Sequence, residues 1–112
     1  MPEERVVIAD ARIHLFEGAQ KLARLPRRKV WTWPARFALC EDPEVSWTMF
    51  ILPLEPLEAC RWTQCKVSVL FEEAERFLVP GSRFTFTFQT MVRPPEVIGE
   101  GIVERSYRVA RG

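Results

Sequence analysis

The sequence has little that would place the protein in a membrane or export it. No stretch approaches the roughly 18 consecutive apolar residues that a membrane-spanning helix needs. The opening residues, MPEERVVIAD, carry two acidic side chains where a secretory leader has a basic start. We therefore expect a cytoplasmic protein that does not associate with membranes.

Histidine and cysteine are also scarce. His14 is the only histidine, and the three cysteines are Cys40, Cys60 and Cys65. A structural zinc site uses four ligands, mostly from closely spaced pairs, and four residues separate Cys60 from Cys65. An odd number of cysteines is typical of free thiols in a reducing compartment. The sequence predicts no metal and no cofactor, and it leaves a redox role for the thiols open.

The residues of an enzyme active site are missing as well. His14 shares a polar strand face with Asp10 and Arg12, but no nucleophile accompanies it. The acidic run at 72–75 is typical of a solvated turn rather than of paired catalytic carboxylates. There is no glycine-rich phosphate loop followed by Lys-Ser/Thr. We expect a protein that is not an enzyme and does not hydrolyse nucleotides.

The chain has no overall excess of charge, with 16 Lys and Arg against 15 Asp and Glu in 112 residues. Any electrostatic function must therefore come from local clusters. One such cluster occupies the segment between Glu17 and Glu41, which contains no acidic residue. Its basic side chains are Lys21, Arg24, Arg27, Arg28, Lys29 and Arg36. These six are the predicted partner-binding residues. A solvated or protein-binding loop is favoured, and RNA binding through 21–36 is the alternative.

Strand patterns make up most of the chain. Alternating or continuously apolar runs occur at 6–15, 31–39, 48–52, 61–71, 82–90 and 98–109. Within these runs the side chains predicted to face the core are Ala9, Ala11, Ile13, Leu15, Trp31, Trp33, Ala35, Phe37, Leu39, Cys65, Val67, Val69, Phe71, Phe84, Phe86 and Phe88. Only two short segments, Glu17 to Leu25 and Glu72 to Phe77, favour a helix.

Proline and glycine mark the predicted connections. Pro80-Gly81 fits a turn in which glycine supplies a positive φ, and Pro94-Pro95 is predicted to lie in a loop. Pro34 indicates an edge position or a bulge. Gly99 and Gly101 indicate a bulge or a close approach of two backbones. Six or so strands with turns between them predict a small antiparallel barrel or sandwich.

The order of these segments resembles a known family. FLVPGSRFTFTF at 77–88, followed by Arg-Pro-Pro at 93–95 and VIGEGIV at 97–103, is similar to the C-terminal barrel domain of elongation factor Tu. WPARFAL at 33–39 lies where that family has a Pro-x-Phe strand. The resemblance implies an all-β fold, a single antiparallel barrel of six to seven strands over residues 1–112 with its core at about 5–109. It also implies a translation-associated role.

The chain departs from that family in ways that bear on function. It has no GTPase domain, and Glu96 is all that stands between Pro95 and Val97, where the family has a longer segment. We therefore expect a non-enzymatic module that binds a macromolecule, with a protein partner favoured over RNA. One concrete form is an immunity or antitoxin-like protein that blocks a toxin.

Overall fold

The computed structural model describes residues 5–17, 30–58, 60–90 and 93–110. Its strands are β1 (Arg5–Leu15), β2 (Trp31–Phe37), β3 (Trp47–Pro53), β4 (Trp62–Val69), β5 (Arg83–Thr90) and β6 (Arg93–Ala110). They form a closed antiparallel barrel in the order β1-β4-β3-β2-β5-β6. A 3₁₀ helix, Glu72–Phe77, connects β4 to β5. The predicted all-β barrel is confirmed, with six strands.

Apolar side chains fill the barrel interior. Alternation along β1 points four residues inward, as predicted, and these are Ala9, Ala11, Ile13 and Leu15. They meet Met49 and Ile51 of β3, Cys65 and Val67 of β4, and Phe84 and Phe86 of β5 in one buried cluster. Trp31 and Trp33 pack against that cluster while remaining partly exposed. A six-stranded barrel is narrow enough for side chains to fill it, so the interior has no room for a ligand.

The turn predicted at Gly81 is confirmed, and a close approach of two backbones is found at Gly99, where a Cβ atom would lie 3.0 Å from the His14 carbonyl oxygen. At Gly101 a Cβ atom would overlap the ring of Phe84, so the glycine allows β5 and β6 to carry that ring in the interior. Gly81 has φ +87°, and the Ser82 amide donates to the Val79 carbonyl at 3.0 Å, which closes the predicted turn. The chain enters β5 directly after this turn, and β5 pairs with β6.

Two residues predicted to face the core lie at the surface instead. Phe71 is 51% exposed and Leu39 is 53% exposed. Both residues were predicted to face the core because the two-residue alternation was extended past the end of a strand. The chain leaves β4 at Val69 and β2 at Phe37, and beyond those points the two-residue period no longer applies. Val69 is only partly buried.

The strand β6 is longer than predicted, and the Pro94-Pro95 loop prediction is wrong because both prolines lie within β6. The β5–β6 register shifts between Phe86 and Thr87. Simple alternation would place Thr87 on the solvent-exposed face. The register shift leaves Thr87 only 6% exposed. The side chain of Phe88 lies outside the described part.

Pro34 fits the edge position predicted for it. It pairs with Thr48 of β3, whereas the β2–β5 register runs from Ala35 to Phe37. Proline has no N–H to give to a second neighbour, so this placement leaves the hydrogen bonds between the strands intact.

Five of the predicted partner-binding residues lie outside the described residues, and these are Lys21, Arg24, Arg27, Arg28 and Lys29. Arg36 is described and lies on β2.

Candidate partner-binding face

Strand register places a row of polar and aromatic side chains around the outside of the barrel. Trp62 of β4 is opposite His14 of β1, and His14 is opposite Glu100 of β6. Glu100 is in turn opposite Thr85 of β5, and Thr85 is opposite Arg36 of β2. Side chains directly opposite one another on neighbouring strands lie within contact range. The row therefore runs continuously across five strands.

A second row lies two residues further along the same strands. Arg12 is opposite Gln64 on one side and Ile102 on the other, and Ile102 is opposite Arg83. We call the combined surface the Arg83 face. It consists of Arg12, His14, Arg36, Trp62, Gln64, Arg83, Thr85, Glu100 and Ile102.

Trp62 anchors one end of the Arg83 face. Its ring is 44% exposed, and it stacks on His14 with ring centroids 5.1 Å apart. The Arg12 guanidinium lies 5.8 Å from the centre of the same ring, a distance typical of a cation–π contact. Glu100 Oε1 is 3.5 Å from His14 Nδ1. The tryptophan is thus held in place by polar neighbours while much of its apolar area stays in contact with solvent.

Carboxylates already hold several of the described cations near this face. Arg12 Nε is 3.3 Å from Glu104, and Arg61 lies within 3.4 Å of Glu55 and 3.7 Å of Glu58. Arg83 and Arg36 differ from these. Neither has an ion-pair partner among the described residues, and Arg36 Nε donates only to Ser46 Oγ at 3.4 Å.

Two depressions in the surface meet at Arg83. The first has a volume of about 390 Å³ and is lined by Arg12, Trp62, Arg83, Thr85, Glu100 and Ile102. The second has a volume of about 320 Å³ and is lined by Arg36, Ala38, Cys40, Pro43, Arg83 and Thr85. The two depressions share Arg83, Phe84 and Thr85, and we call the surface from Trp62 past Arg83 to Arg36 the channel.

A hydrogen-bonded network lies beside the Arg83 face. Asp10 Oδ2 accepts from Arg105 at 2.7 Å, and Asp10 Oδ1 accepts from Lys66 Nζ at 3.2 Å. Lys66 also donates to Tyr107. The hydrogen bond from Arg105 is the main reason that the pKa of Asp10 is lowered, although burial opposes it. The hydrogen bonds that Lys66 donates to Tyr107 and Asp10 raise the pKa of Lys66. The network joins β1, β4 and β6.

The cysteines do not come together. Cys65 is buried inside the barrel, Cys60 is exposed and Cys40 is partly buried, and all three are free thiols. Burial, followed by the negative charge of Glu55, raises the pKa of Cys65 to about 12. Within the ranges that the structure describes, no group of three His, Cys, Asp or Glu residues is placed to hold a metal ion.

The structure brings one predicted site residue, Arg36, into the Arg83 face. The sequence prediction missed Trp62 and Arg83, although the signal for both was present. Alternation around buried Cys65 and Phe84 sends Trp62 and Arg83 outward. What the sequence lacked was the strand order that makes β4, β1, β6, β5 and β2 neighbours.

The fold defines the chain as a small closed β-barrel protein. Comparison with protein-family models, curated proteins and solved structures finds no match. The resemblance to the barrel domain of elongation factor Tu therefore stays a prediction. Among the described residues, no helix is long and apolar enough to cross a membrane.

Proposed function

We propose that the chain is a non-enzymatic binding module and that it docks a protein partner through the Arg83 face. The observation that carries this proposal is the exposed ring of Trp62 beside Arg12 and His14. Tryptophan and arginine are the residues most enriched among those that dominate protein–protein binding energy. Because its neighbours already fix the ring, a partner would order little more of the side chain on binding.

The charges around this ring support a protein partner over RNA. Arg12 is paired with Glu104, and Glu100 lies in the same row as Trp62. Phosphate groups beside Trp62 would have to displace Glu104 from Arg12 and would be repelled by Glu100. A protein surface carries both signs of charge and can match an alternating pattern.

The proposal places the module in the cytoplasm, where thiols remain reduced. Cys40, Cys60 and Cys65 are all free, and the exposed thiol of Cys60 would oxidise readily in an export compartment. A partner that acts in the cytoplasm, such as a toxin or a component of translation, is consistent with this location.

A pull-down from native lysate tests the proposal. The wild-type chain is compared with Trp62→Ala and with a matched control, Leu70→Ala, which removes another exposed apolar side chain outside the Arg83 face. We expect a protein that survives RNase treatment and is retained by Leu70→Ala but lost with Trp62→Ala, because removing an interface hot spot costs at least about 2 kcal/mol. Circular dichroism checks that both variants fold.

Two results would overturn the proposal. Capture that disappears on RNase treatment would point to RNA, and equal capture by Trp62→Ala and wild type would remove the Arg83 face from the interaction.

RNA is the second candidate function, and the solvent-accessible ring of Trp62 favours it because bases stack on such rings. The predicted basic residues Lys21, Arg24, Arg27, Arg28 and Lys29 would supply five phosphate contacts. Counterion release then gives a log–log slope of affinity against salt of roughly −4. A flat salt dependence, or no RNA binding at low salt, would exclude this candidate.

A further inference from the structure

Arg83 occupies the shared wall of the two depressions in the Arg83 face. Both depressions are lined by Arg83, Phe84 and Thr85. Phe84 is buried in the barrel, so Arg83 and Thr85 provide the functional groups at this point. A ligand lying along the channel has to pass the Arg83 guanidinium.

The charge of Arg83 is uncompensated in a region where other cations are compensated. Arg12 has Glu104, Arg105 and Lys66 have Asp10, and Arg83 has no carboxylate among the described residues. The same holds for Arg36, whose position on β2 is directly opposite Thr85. Glu100 lines the same depression as Arg83, but its carboxylate lies against His14. Two guanidinium groups on adjacent strands thus present donors that make no ion pair with a described carboxylate. Guanidinium groups bind carboxylates in pairs of parallel hydrogen bonds.

The spacing between the cations and Trp62 indicates the length of the ligand. Trp62 on β4 and Arg83 on β5 are three strand steps and one side-chain row apart. With neighbouring strands about 4.8 Å apart and a rise of about 3.4 Å per residue, the backbone positions of the two residues lie roughly 16 Å apart along the surface of the sheet. An extended peptide covers that distance in about four to five residues, and a separation of four turns both end side chains towards the barrel.

We propose that the channel binds an acidic peptide segment of the protein partner, an inference that rests on the proposed function. An aliphatic or aromatic side chain of the segment covers Trp62, and a carboxylate four residues away binds Arg83. A second carboxylate, two residues beyond the first, binds Arg36, because side chains an even number of residues apart face the same side of an extended peptide. The ligand class is therefore an extended peptide with one apolar end and one acidic end.

Nuclear magnetic resonance titration with short peptides tests this inference. The probes are LTSTESE and its reverse ESETSTL, because the structure leaves the direction of the segment open, with LTSTQSQ and QSQTSTL as uncharged counterparts. We expect one of the acidic peptides to shift the Trp62 indole signal. Arg83→Ala should raise Kd roughly tenfold, the loss of one charge-assisted pair, and replacing both glutamates by glutamine should raise it further. Arg36→Ala should have a smaller effect in the same direction.

Arg108→Ala serves as the matched control, since Arg108 is an exposed arginine on β6 outside the Arg83 face. It should leave Kd unchanged. The inference is overturned if none of the peptides shifts Trp62 at millimolar concentration, or if Arg83→Ala and Arg108→Ala behave alike. It is also overturned, in favour of RNA, if a 20-nucleotide poly-U binds through Arg83 when the acidic peptides do not.

The two proposals fail in different ways. If the pull-down retains an RNase-resistant protein that depends on Trp62 but not on Arg83, the docking function stands and the acidic-segment inference falls. If peptides bind at Arg83 but the lysate yields no partner that depends on Trp62, the inference that the channel binds acidic peptides stands and the proposed function falls.

Discussion

At the scale of single residues, Gly101 shows how closely the interior side chains approach the backbone. The ring of Phe84 lies where a Cβ of residue 101 would be, so the two positions are coupled. We expect Gly101→Ala to lower the free energy of unfolding by about 1–3 kcal/mol through overpacking. Urea denaturation measures the loss.

A double-mutant cycle separates this overlap from other effects. Phe84→Leu removes the ring, so the double variant should be destabilised by less than the sum of the two single variants. Gly81→Ala is the control, because its Cβ meets no atom within 4 Å and its cost comes from φ +87°. Phe84→Leu should not relieve Gly81→Ala. Additive effects for Gly101→Ala would show that the ring does not constrain residue 101.

At the scale of the strands, Asp10 joins three of them through one carboxylate. Its side chain is 14% exposed and accepts hydrogen bonds from Arg105 of β6 and Lys66 of β4. We expect Asp10→Asn to lower the free energy of unfolding at pH 7 by about 1–3 kcal/mol, the range for hydrogen bonds to charged groups. Glu58→Gln, which removes an exposed ion pair, should cost less than about 0.5 kcal/mol.

The contribution of Asp10 should depend on pH in a defined direction. Its pKa in the folded protein lies below the ordinary value of 3.8, so the folded state favours the charged form. The stabilisation is complete above pH 3.8 and is lost as pH falls through the lowered pKa. The difference in unfolding free energy between wild type and Asp10→Asn should therefore shrink below pH 3.8. A difference that stays constant down to pH 2 would contradict this assignment.

At the scale of the whole molecule, closure of the barrel controls access to Cys65. The thiol lies in the interior, and β4 is paired with β1 on one side and with β3 on the other. Burial raises the pKa of the thiol to about 12. We expect iodoacetamide to modify exposed Cys60 first and Cys65 only when the barrel opens. Mass spectrometry of labelled protein measures the three rates.

Urea provides the comparison for this labelling. The rate at Cys65 should rise with urea in parallel with the unfolded population, whereas the rate at Cys60 should change little. Rapid modification of Cys65 in the folded state would show that β4 separates from a neighbour without global unfolding.

The Arg83 face also belongs to this scale, because no single segment contains it. Trp62, His14 and Arg83 lie on three different strands and come together only through the strand order. Sequence inspection found Arg36 because it follows a run of basic residues. It passed over Arg83, which stands alone between a proline-glycine turn and a phenylalanine strand. The five loop residues predicted to bind a partner lie outside the described residues, and their role stays a prediction.

The sequence by itself determined the strand class, the inward face of β1, the Pro80-Gly81 turn and the close approach of two backbones at Gly99. Each of these depends on local chemistry, namely a two-residue alternation, a positive φ and the absence of a Cβ. Tertiary structure alone decided where the strands end, which made the predictions for Phe71 and Leu39 wrong. It also decided the closure between β2 and β5 and the assembly of the Arg83 face. Those outcomes depend on pairings between residues far apart in the chain, and local pattern carries no information about them.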